Sequence, residues 1–368
     1  MSDPVEIPFE EVISALLDES IRPHPRYLSR LSDLEADDIA MLVEAWPRLP
    51  VERRQALMEQ LEELGADDDL LSFEAIGRQA ILDEDPRVRT LAVRILWQFD
   101  HDDLLPKFLD LLETDAEADV RTAAAAGLGQ YVYLGELEEL SQEQLHDLEE
   151  RLLRAIARDE APQVRRKALE SIGFSGRPEV PELIEKAFDS GDRDWMMAAL
   201  VAMGRSMDSR WEQSVLSVLQ SKTPAVRAEA ARAAGELEIA ASVDALVDLT
   251  EDSEESVSSA AIWSLSQIGG EQARQTLEDM FRETEEKEQV EFLEIALDNL
   301  AFTEGLQPFS LSSFDDEKTE QELYEMLLRE EGYWDGEDEI GIPFDAIDDV
   351  DDLLDLDDFD EEEEDLRD

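Results

Sequence analysis

DEDPRVRTLAVRIL, at residues 83–96, is the stretch that decides the fold of this 368-residue chain, because it recurs along the sequence. Close copies are EADVRTAAAAGLG (117–129), DEAPQVRRKALESIG (159–173) and SKTPAVRAEAARAAGEL (221–237). Weaker copies lie at 190–204, 252–269 and 286–300, and another begins near residue 50. Self-similarity at a fixed period predicts a repeat protein, in which each unit packs on its neighbours.

The first apolar residue of each copy fixes the spacing. Successive copies are separated by 32, 44, 31, 31, 31 and 33 residues. The long step contains a polar helical insertion, residues 137–150. A unit of about 31 residues has room for two helices of three turns each. The residues that define these steps are Val88, Val120, Val164, Trp195, Val226, Val257 and Val290.

Each copy has the pattern of an amphipathic helix. Pro86, Pro162 and Pro224 lie in the first turn, where a missing N–H costs nothing. With the first apolar residue as offset 0, apolar or small residues recur at +4, +5 and +8, which is one helix face. Four copies have glycine at +9, where we expect the helix to loosen or end. Another amphipathic helix precedes each copy, for example at 104–113, 180–189 and 242–251.

The words DPRVRTLAV, APQVRRKAL and TPAVRAEAA resemble HEAT repeats, in particular the short variety of phycobilisome-lyase-type proteins, over about residues 40–300. The resemblance implies an all-α fold, an α-solenoid of about seven to eight helix pairs whose second helices line the concave side. Lyase members of the family attach bilin chromophores to cysteines of client proteins. No residue of this sequence singles out that chemistry.

The charge of the chain is strongly acidic and unevenly distributed. It has 95 acidic and 32 basic residues, a net charge of −63. Such a chain repels nucleic acid and anionic membranes at long range and attracts basic proteins. We therefore expect protein partners with basic patches, no nucleic acid and no membrane insertion. Four segments are expected: an N-terminal cap (1–40), the solenoid (41–302), a linker with a helix (303–334) and an acidic, largely disordered tail (335–368).

The acidic tail also holds a pattern of apolar residues at three- and four-residue steps. The pattern predicts an amphipathic helix that folds on a partner. Residues 342–347 match residues 7–12, since both read Ile-Pro-Phe-acid-x-β-branched. Either the match is chance in an acidic chain, or both are docking motifs for one kind of groove. The apolar residues of the tail are Ile342, Phe344, Ile347, Val350 and Leu354.

Several kinds of site have no support in the sequence. The absence of cysteine excludes disulfides, cysteine-ligated zinc and thiol nucleophiles. The three histidines, His24, His101 and His146, are scattered, and we expect no metal or other cofactor. No apolar run reaches the ~18 residues of a membrane span, and the N-terminus lacks a signal-peptide pattern. The cytoplasm is therefore the expected location.

Basic residues of the repeat fall into two groups. Arg89, Arg121, Arg165 and Arg227 directly follow the first apolar residue, and we expect each to pair with an acid of the preceding turn, such as Asp85 or Asp159. Offsets +2, +6 and +9 are expected to face away from the core and to bind a partner. For the two tryptophans among them, packing against a neighbouring repeat is the alternative. The predicted partner-binding residues are Arg94, Trp97, Arg166, Val201, Arg232 and Trp263.

The pattern as a whole predicts a non-catalytic scaffold or adaptor. Its concave face holds a protein client, and its acidic tail recruits basic partners or competes for the concave face. One alternative is a lyase-type enzyme subunit. The other is an acidic mimic of nucleic acid, or a chaperone of basic proteins, that acts through its charge.

Overall fold

A computed structural model describes residues 7–18, 24–68, 70–284 and 286–306. All regular structure in these residues is helical, which confirms the predicted all-α solenoid. The helices are α1 (Phe9–Leu17), α2 (Arg26–Ser29), α3 (Ala36–Ala45), α4 (Val51–Asp67), α5 (Glu74–Ala80), α6 (Pro86–Leu96), α7 (Leu105–Thr114), α8 (Ala118–Glu136), α9 (Gln142–Arg158), α10 (Pro162–Ile172), α11 (Val180–Phe188), α12 (Arg193–Arg205), α13 (Glu212–Val218), α14 (Pro224–Glu236), α15 (Val243–Leu249), α16 (Glu255–Ile268), α17 (Glu271–Glu283) and α18 (Lys287–Leu306). The expected linker helix, the acidic tail and its apolar residues lie outside the described residues.

Within the part of the chain that the structure describes, α3 to α18 form eight consecutive pairs, each made of a first and a second helix. The second helices are α4, α6, α8 and every alternate helix to α18. From α4 to α16, each second helix contacts the next one, whereas contacts between successive first helices are sparse. The units therefore approach most closely along the second helices. The outward surface of the second helices is here called the second-helix face.

Small residues make this close approach possible. A Cβ atom on Gly173, directly after α10, would lie 2.7 Å from Ala202 Cα of α12, and one on Gly235 of α14 would lie 2.8 Å from Ser264 Cβ of α16. Ser264 also donates a hydrogen bond to the carbonyl of Ala231 across the same interface, at 2.7 Å. The expectation that the +9 glycines mark helix ends is confirmed in three copies, because α10, α12 and α14 end within one residue of Gly173, Gly204 and Gly235, and it is wrong for Gly129, past which α8 continues to Glu136. These glycines are buried and face the next second helix.

The arginines that directly follow the first apolar residue of each copy bind groups within the protein, as expected. Their partners, however, differ from the predicted ones. Arg121 binds Asp159 through two hydrogen bonds, Nε to Oδ2 at 2.8 Å and Nη2 to Oδ1 at 3.0 Å. Its Nη1 donates to the carbonyl oxygens of Asp115 and Ala116 in its own preceding turn. The expected pairing with an acid of the preceding turn is therefore wrong. Because the arginine points along the stack, it reaches the carboxylate in the turn of the next unit.

The same ion pair, here called a rung, joins several neighbouring units. Arg89 binds Asp115, Arg227 binds Asp252, and Arg54 lies 3.1 Å from Asp83. The aspartate of each rung also closes the turn before its own second helix, because it accepts the backbone N–H two residues later. Serine takes the aspartate's place at Ser190 and Ser221, where it keeps only the turn hydrogen bond.

The two irregular parts of the sequence pattern each change the structure only locally. The long repeat step gives α9, whose N-terminus has a capping box formed by Ser141 and Gln144. At the N-terminus, α1 packs on α3 and buries Phe9, Val12 and Leu16. α1 thereby covers the apolar side of the first pair, as an end unit of a repeat stack requires.

Candidate protein-binding face

The second-helix face is built from two rows of side chains, one from offset +6 and one from offset +10. At 100° per residue these offsets lie 40° apart on a helix, and the residues of both rows are exposed or half-buried. The +6 row consists of Arg94, Ala126, Glu170, Val201, Arg232 and Trp263. The +10 row consists of Gln98, Gln130, Phe174, Arg205, Glu236 and Gln267.

All six predicted partner-binding residues are on second helices or at their ends, but their surroundings differ. Trp97 ends α6 and is 42% exposed. Arg232 is exposed and lies 2.9 Å from Glu229, while Arg166 is half-buried and lies 3.6 Å from Asp194. The remaining three are Arg94, which is exposed, and Val201 and Trp263, which are half-buried.

Residues at offset +9 do not face away from the core, apart from Trp97. In four other units this position is a buried glycine against the next second helix. The prediction that offset +9 faces outward is therefore wrong in these units. The adjacent offset that does face outward is +10. The repeat pattern alone did not predict this row, although a glycine at +9 in four copies is itself a signal of close helix contact.

Aromatic and arginine side chains meet in the middle of the +10 row. The rings of Tyr133 and Phe174 lie with their centroids 5.3 Å apart, and the guanidinium of Arg205 stacks 5.2 Å above the Phe174 ring. Arg205 also donates a hydrogen bond to the carbonyl of Glu170 at 3.0 Å. Tyr133 is 40% exposed. Three neighbouring units thus contribute to one partly exposed cluster, here called the aromatic cluster (Tyr133, Phe174, Arg205).

A carboxylate lies next to the aromatic cluster. Glu236 places its carboxylate over Gly204 of α12, at a point where a Cβ atom would collide with it. Its outer surface is exposed, but α12 and α14 displace much of the water around its carboxylate. This burial raises the pKa of Glu236 to about 6, against the opposing charge of Arg205. Burial also raises the pKa of Glu229, which lies two turns earlier on the same face of α14.

A groove of about 470 Å³ lies at the N-terminal end of the second-helix face, between α4, α6 and the start of α8. Arg94 and Arg87 cross it from α6 and pair with Glu62 and Glu59 of α4. Burial raises the pKa of Glu62, although the charge of Arg94 opposes the rise. The groove is lined by Glu59, Glu62, Pro86, Arg87, Thr90, Leu91, Arg94, Glu117 and Asp119.

Within residues 7–18, 24–68, 70–284 and 286–306, no group of three or more histidine or acidic side chains could hold a metal ion. None of the helices described is both long and apolar enough to cross a bilayer. The first Ile-Pro-Phe copy, residues 7–12, lies at the start of α1, where Arg30 stacks 5.4 Å over the Phe9 ring.

Comparison with known proteins agrees with this architecture. Residues 76–154 and 212–293 match the family model described as HEAT repeats. These two regions therefore consist of HEAT repeats, and the helix pairs within them are HEAT units. A comparison with curated protein sequences returns no match.

Three solved structures are similar to this chain. The complex of CpcE and CpcF of phycocyanin lyase from Nostoc sp. is 17% identical, with 81% of this chain and 97% of that chain covered and a TM-score of 0.46. Human deoxyhypusine hydroxylase is 17% identical, with 80% and 96% covered and a TM-score of 0.33. YibA of E. coli is 18% identical, with 76% and 98% covered and a TM-score of 0.39. At these values the likeness carries no information on activity or partner.

Proposed function

We propose that this HEAT-repeat protein is a non-catalytic scaffold or adaptor of the cytoplasm, and that a protein client lies along the second-helix face. The observation that carries the proposal is the aromatic cluster. Tyr133, Phe174 and Arg205 are partly exposed on the side where the units approach most closely. Tyrosine, tryptophan and arginine provide most of the binding energy in protein interfaces, chiefly where a concave surface excludes water around them.

The residues predicted from the sequence extend this surface to both sides. Arg94 and Trp97 lie on one flank, and Val201, Arg232 and Trp263 lie on the other, with Arg166 toward the N-terminal ends of the same helices. The pairs Arg94–Glu62 and Arg232–Glu229 hold the two exposed arginines in place. A client that contacts such prearranged side chains loses less conformational entropy on binding.

Site-specific photo-crosslinking tests the proposal. A photoreactive phenylalanine analogue at Val201, on the second-helix face, is expected to capture one protein reproducibly in cells of the source organism. The matched control carries the same group at Glu185, an exposed position on the first helix α11. Substitution of Phe174 by alanine in the Val201 reporter should reduce the captured amount about tenfold. Equal capture from positions 201 and 185 would contradict the proposal.

The acidic tail is proposed to recruit or modulate a basic partner, with Ile342, Phe344, Ile347, Val350 and Leu354 as its docking residues. The supporting observation is the charge of the last 66 residues, which include 28 acidic and three basic ones. The same charge supports a second candidate function, a chaperone of basic proteins. A chaperone that acts through charge alone would lose binding steeply between low and high salt, and would keep it after Phe174→Ala.

A further inference from the structure

The groove between α4, α6 and α8 differs from the rest of the second-helix face in its charge balance. Its lining contains four carboxylates and two arginines. Both arginines are engaged by α4, because Arg94 pairs with Glu62 and Arg87 pairs with Glu59. The other two carboxylates, Glu117 and Asp119, are at the start of α8. Among the described residues neither of them forms an ion pair or accepts a side-chain hydrogen bond. The groove therefore has a net negative side that faces solvent.

The floor of the groove is apolar. Leu91 is 6% exposed, and the ring of Pro86 and the methyl group of Thr90 lie beside it. The hydroxyl of Thr90 donates to the carbonyl of Pro86 at 2.9 Å, so its polar atom is already satisfied within the helix. A lysine or arginine side chain has the matching chemistry. It lays its aliphatic stem along an apolar surface and keeps its charged end beside carboxylates.

We propose that this groove binds a lysine or arginine side chain of the client, with the stem on Leu91, Thr90 and Pro86 and the cationic end between Glu117 and Asp119. The inference rests on the proposed function, and it names the chemistry of the partner at one place on the second-helix face. It also gives Arg94 a second role besides its proposed contact with the client. Arg94 fixes Glu62 at the wall of the groove.

The geometry on the opposite wall agrees with a cationic occupant. Glu62 is partly buried, and Arg94 only partly compensates its charge, so that its pKa is raised. A second cation in the groove would relieve this unfavourable burial. An anionic occupant would place another negative charge beside Glu62, Glu117 and Asp119, which is repulsive in a partly desolvated site.

The experiment uses the full chain with its threonine methyl groups isotopically labelled, so that the Thr90 methyl resonance reports on the groove. The probe is the peptide acetyl-Gly-Arg-Leu-Gly-amide, and acetyl-Gly-Glu-Leu-Gly-amide is the control probe. The arginine peptide is expected to shift the Thr90 resonance saturably, and the glutamate peptide is expected not to. A general attraction to the acidic chain would not favour Thr90 over the other threonines.

Two charge-matched variants distinguish binding in the groove from a general attraction to the acidic chain. Glu117→Gln with Asp119→Asn removes two charges at the groove, and Glu182→Gln with Glu185→Gln removes two on the first helix α11. The groove variant should bind the arginine peptide about tenfold more weakly, and the α11 variant should bind it within about twofold of the original chain. Circular dichroism checks that both variants are folded.

Two results would overturn the inference: equal weakening in both variants, or an arginine peptide that leaves the Thr90 resonance unchanged. Either result leaves the photo-crosslinking at Val201 unaffected, because that position lies on α12, far along the row from α6. Failure of the inference and failure of the proposed function are therefore distinguishable.

Discussion

Arg121 and Asp159 belong to consecutive helix pairs, yet they form a two-point ion pair with N–O distances of 2.8 and 3.0 Å. Both side chains are largely buried, with 15% and 10% exposed. Burial alone would raise the pKa of Asp159, but the hydrogen bonds from Arg121 and from the Ala161 N–H outweigh it, and the pKa lies below its usual value. The rung therefore stabilises the contact between two units, and each unit is held partly by the next.

Removing a rung should weaken the fold measurably. We expect Arg121→Met to lower the free energy of unfolding by about 2 kcal/mol, because it leaves the Asp159 carboxylate and two backbone carbonyls without their donor. Urea denaturation followed by circular dichroism measures the change. Arg193→Met is the control, since Arg193 is 64% exposed and pairs with its sequence neighbour Asp194. Its expected effect is below about 0.5 kcal/mol, and an equal loss in both variants would contradict the role of the rung.

A single substitution should restore a rung that is missing between two units. Arg165 occupies the rung position of α10, but the next turn has Ser190 in place of aspartate, and Arg165 instead donates to the carbonyl of Ile156 and stacks 5.4 Å from the Trp195 ring. Ser190→Asp should raise the free energy of unfolding by about 1 kcal/mol, because it keeps the turn hydrogen bond and adds an ion pair.

Ser221→Asp is the matched control for that substitution. Ser221 stands at the same position of the following unit, where the preceding second helix presents Met196 instead of arginine. An aspartate there adds negative charge without a partner, and we expect no gain in stability. Equal gains at positions 190 and 221 would show that the turn alone benefits from aspartate.

The rungs show how far sequence analysis reaches in a repeat protein. The pattern around Val120 predicts the helix, its cap and the internal position of Arg121, because all of these depend on residues within one copy. The partner of Arg121 lies 38 residues ahead, in the next unit. A pattern within one copy does not show whether a side chain on the flank of a helix points to the previous or to the next unit.

The same limit explains which parts of the second-helix face were not predicted. The +10 row depends on the close contact at Gly173, Gly204 and Gly235, which turns offset +9 inward. The groove draws its carboxylates from α4 and α8 and its arginines from α6, so no local motif marks it. In a chain with 95 acidic residues, the presence of Glu117 and Asp119 is uninformative until their neighbours are known.

The glycine contacts between second helices lead to a third prediction. Gly173→Ala should lower the free energy of unfolding by about 1–3 kcal/mol, because its Cβ atom would lie 2.7 Å and 2.8 Å from backbone atoms of Ala202, which do not move independently of α12. Differential scanning calorimetry or urea denaturation measures the loss. Gly65→Ala in α4 is the control, since its Cβ atom would meet only the Phe73 ring at 3.5 Å. We expect a gain of about 0.5–1 kcal/mol there, from the better helix propensity of alanine.

The contribution of Glu236 to the free energy of unfolding should fall as the pH rises from 4.5 to about 6. Its pKa is about 6 in the folded chain, against 4.5 as the ordinary value, and burial is the main cause. Between these two pH values the folded chain keeps a proton that the unfolded chain has released, so the contribution of this group to stability falls as pH rises through that window. The charged groups that face Glu236 are Arg205 from α12 and Glu229 and Arg232 from its own helix α14.

Glu236→Gln should therefore stabilise the protein at pH 7 and have almost no effect at pH 4.5. A fully buried group with this shift would contribute about 2 kcal/mol, and solvent screening of the exposed side of Glu236 reduces the expected gain to about 1 kcal/mol. Urea denaturation of both proteins at pH 4.5, 5.5 and 7 measures the difference. Glu185→Gln, on the exposed side of α11, is the matched control and should show no comparable dependence. If Glu236→Gln gave the same gain at pH 4.5 as at pH 7, the gain would come from packing of the amide, and burial of the ionised carboxylate would not be its cause.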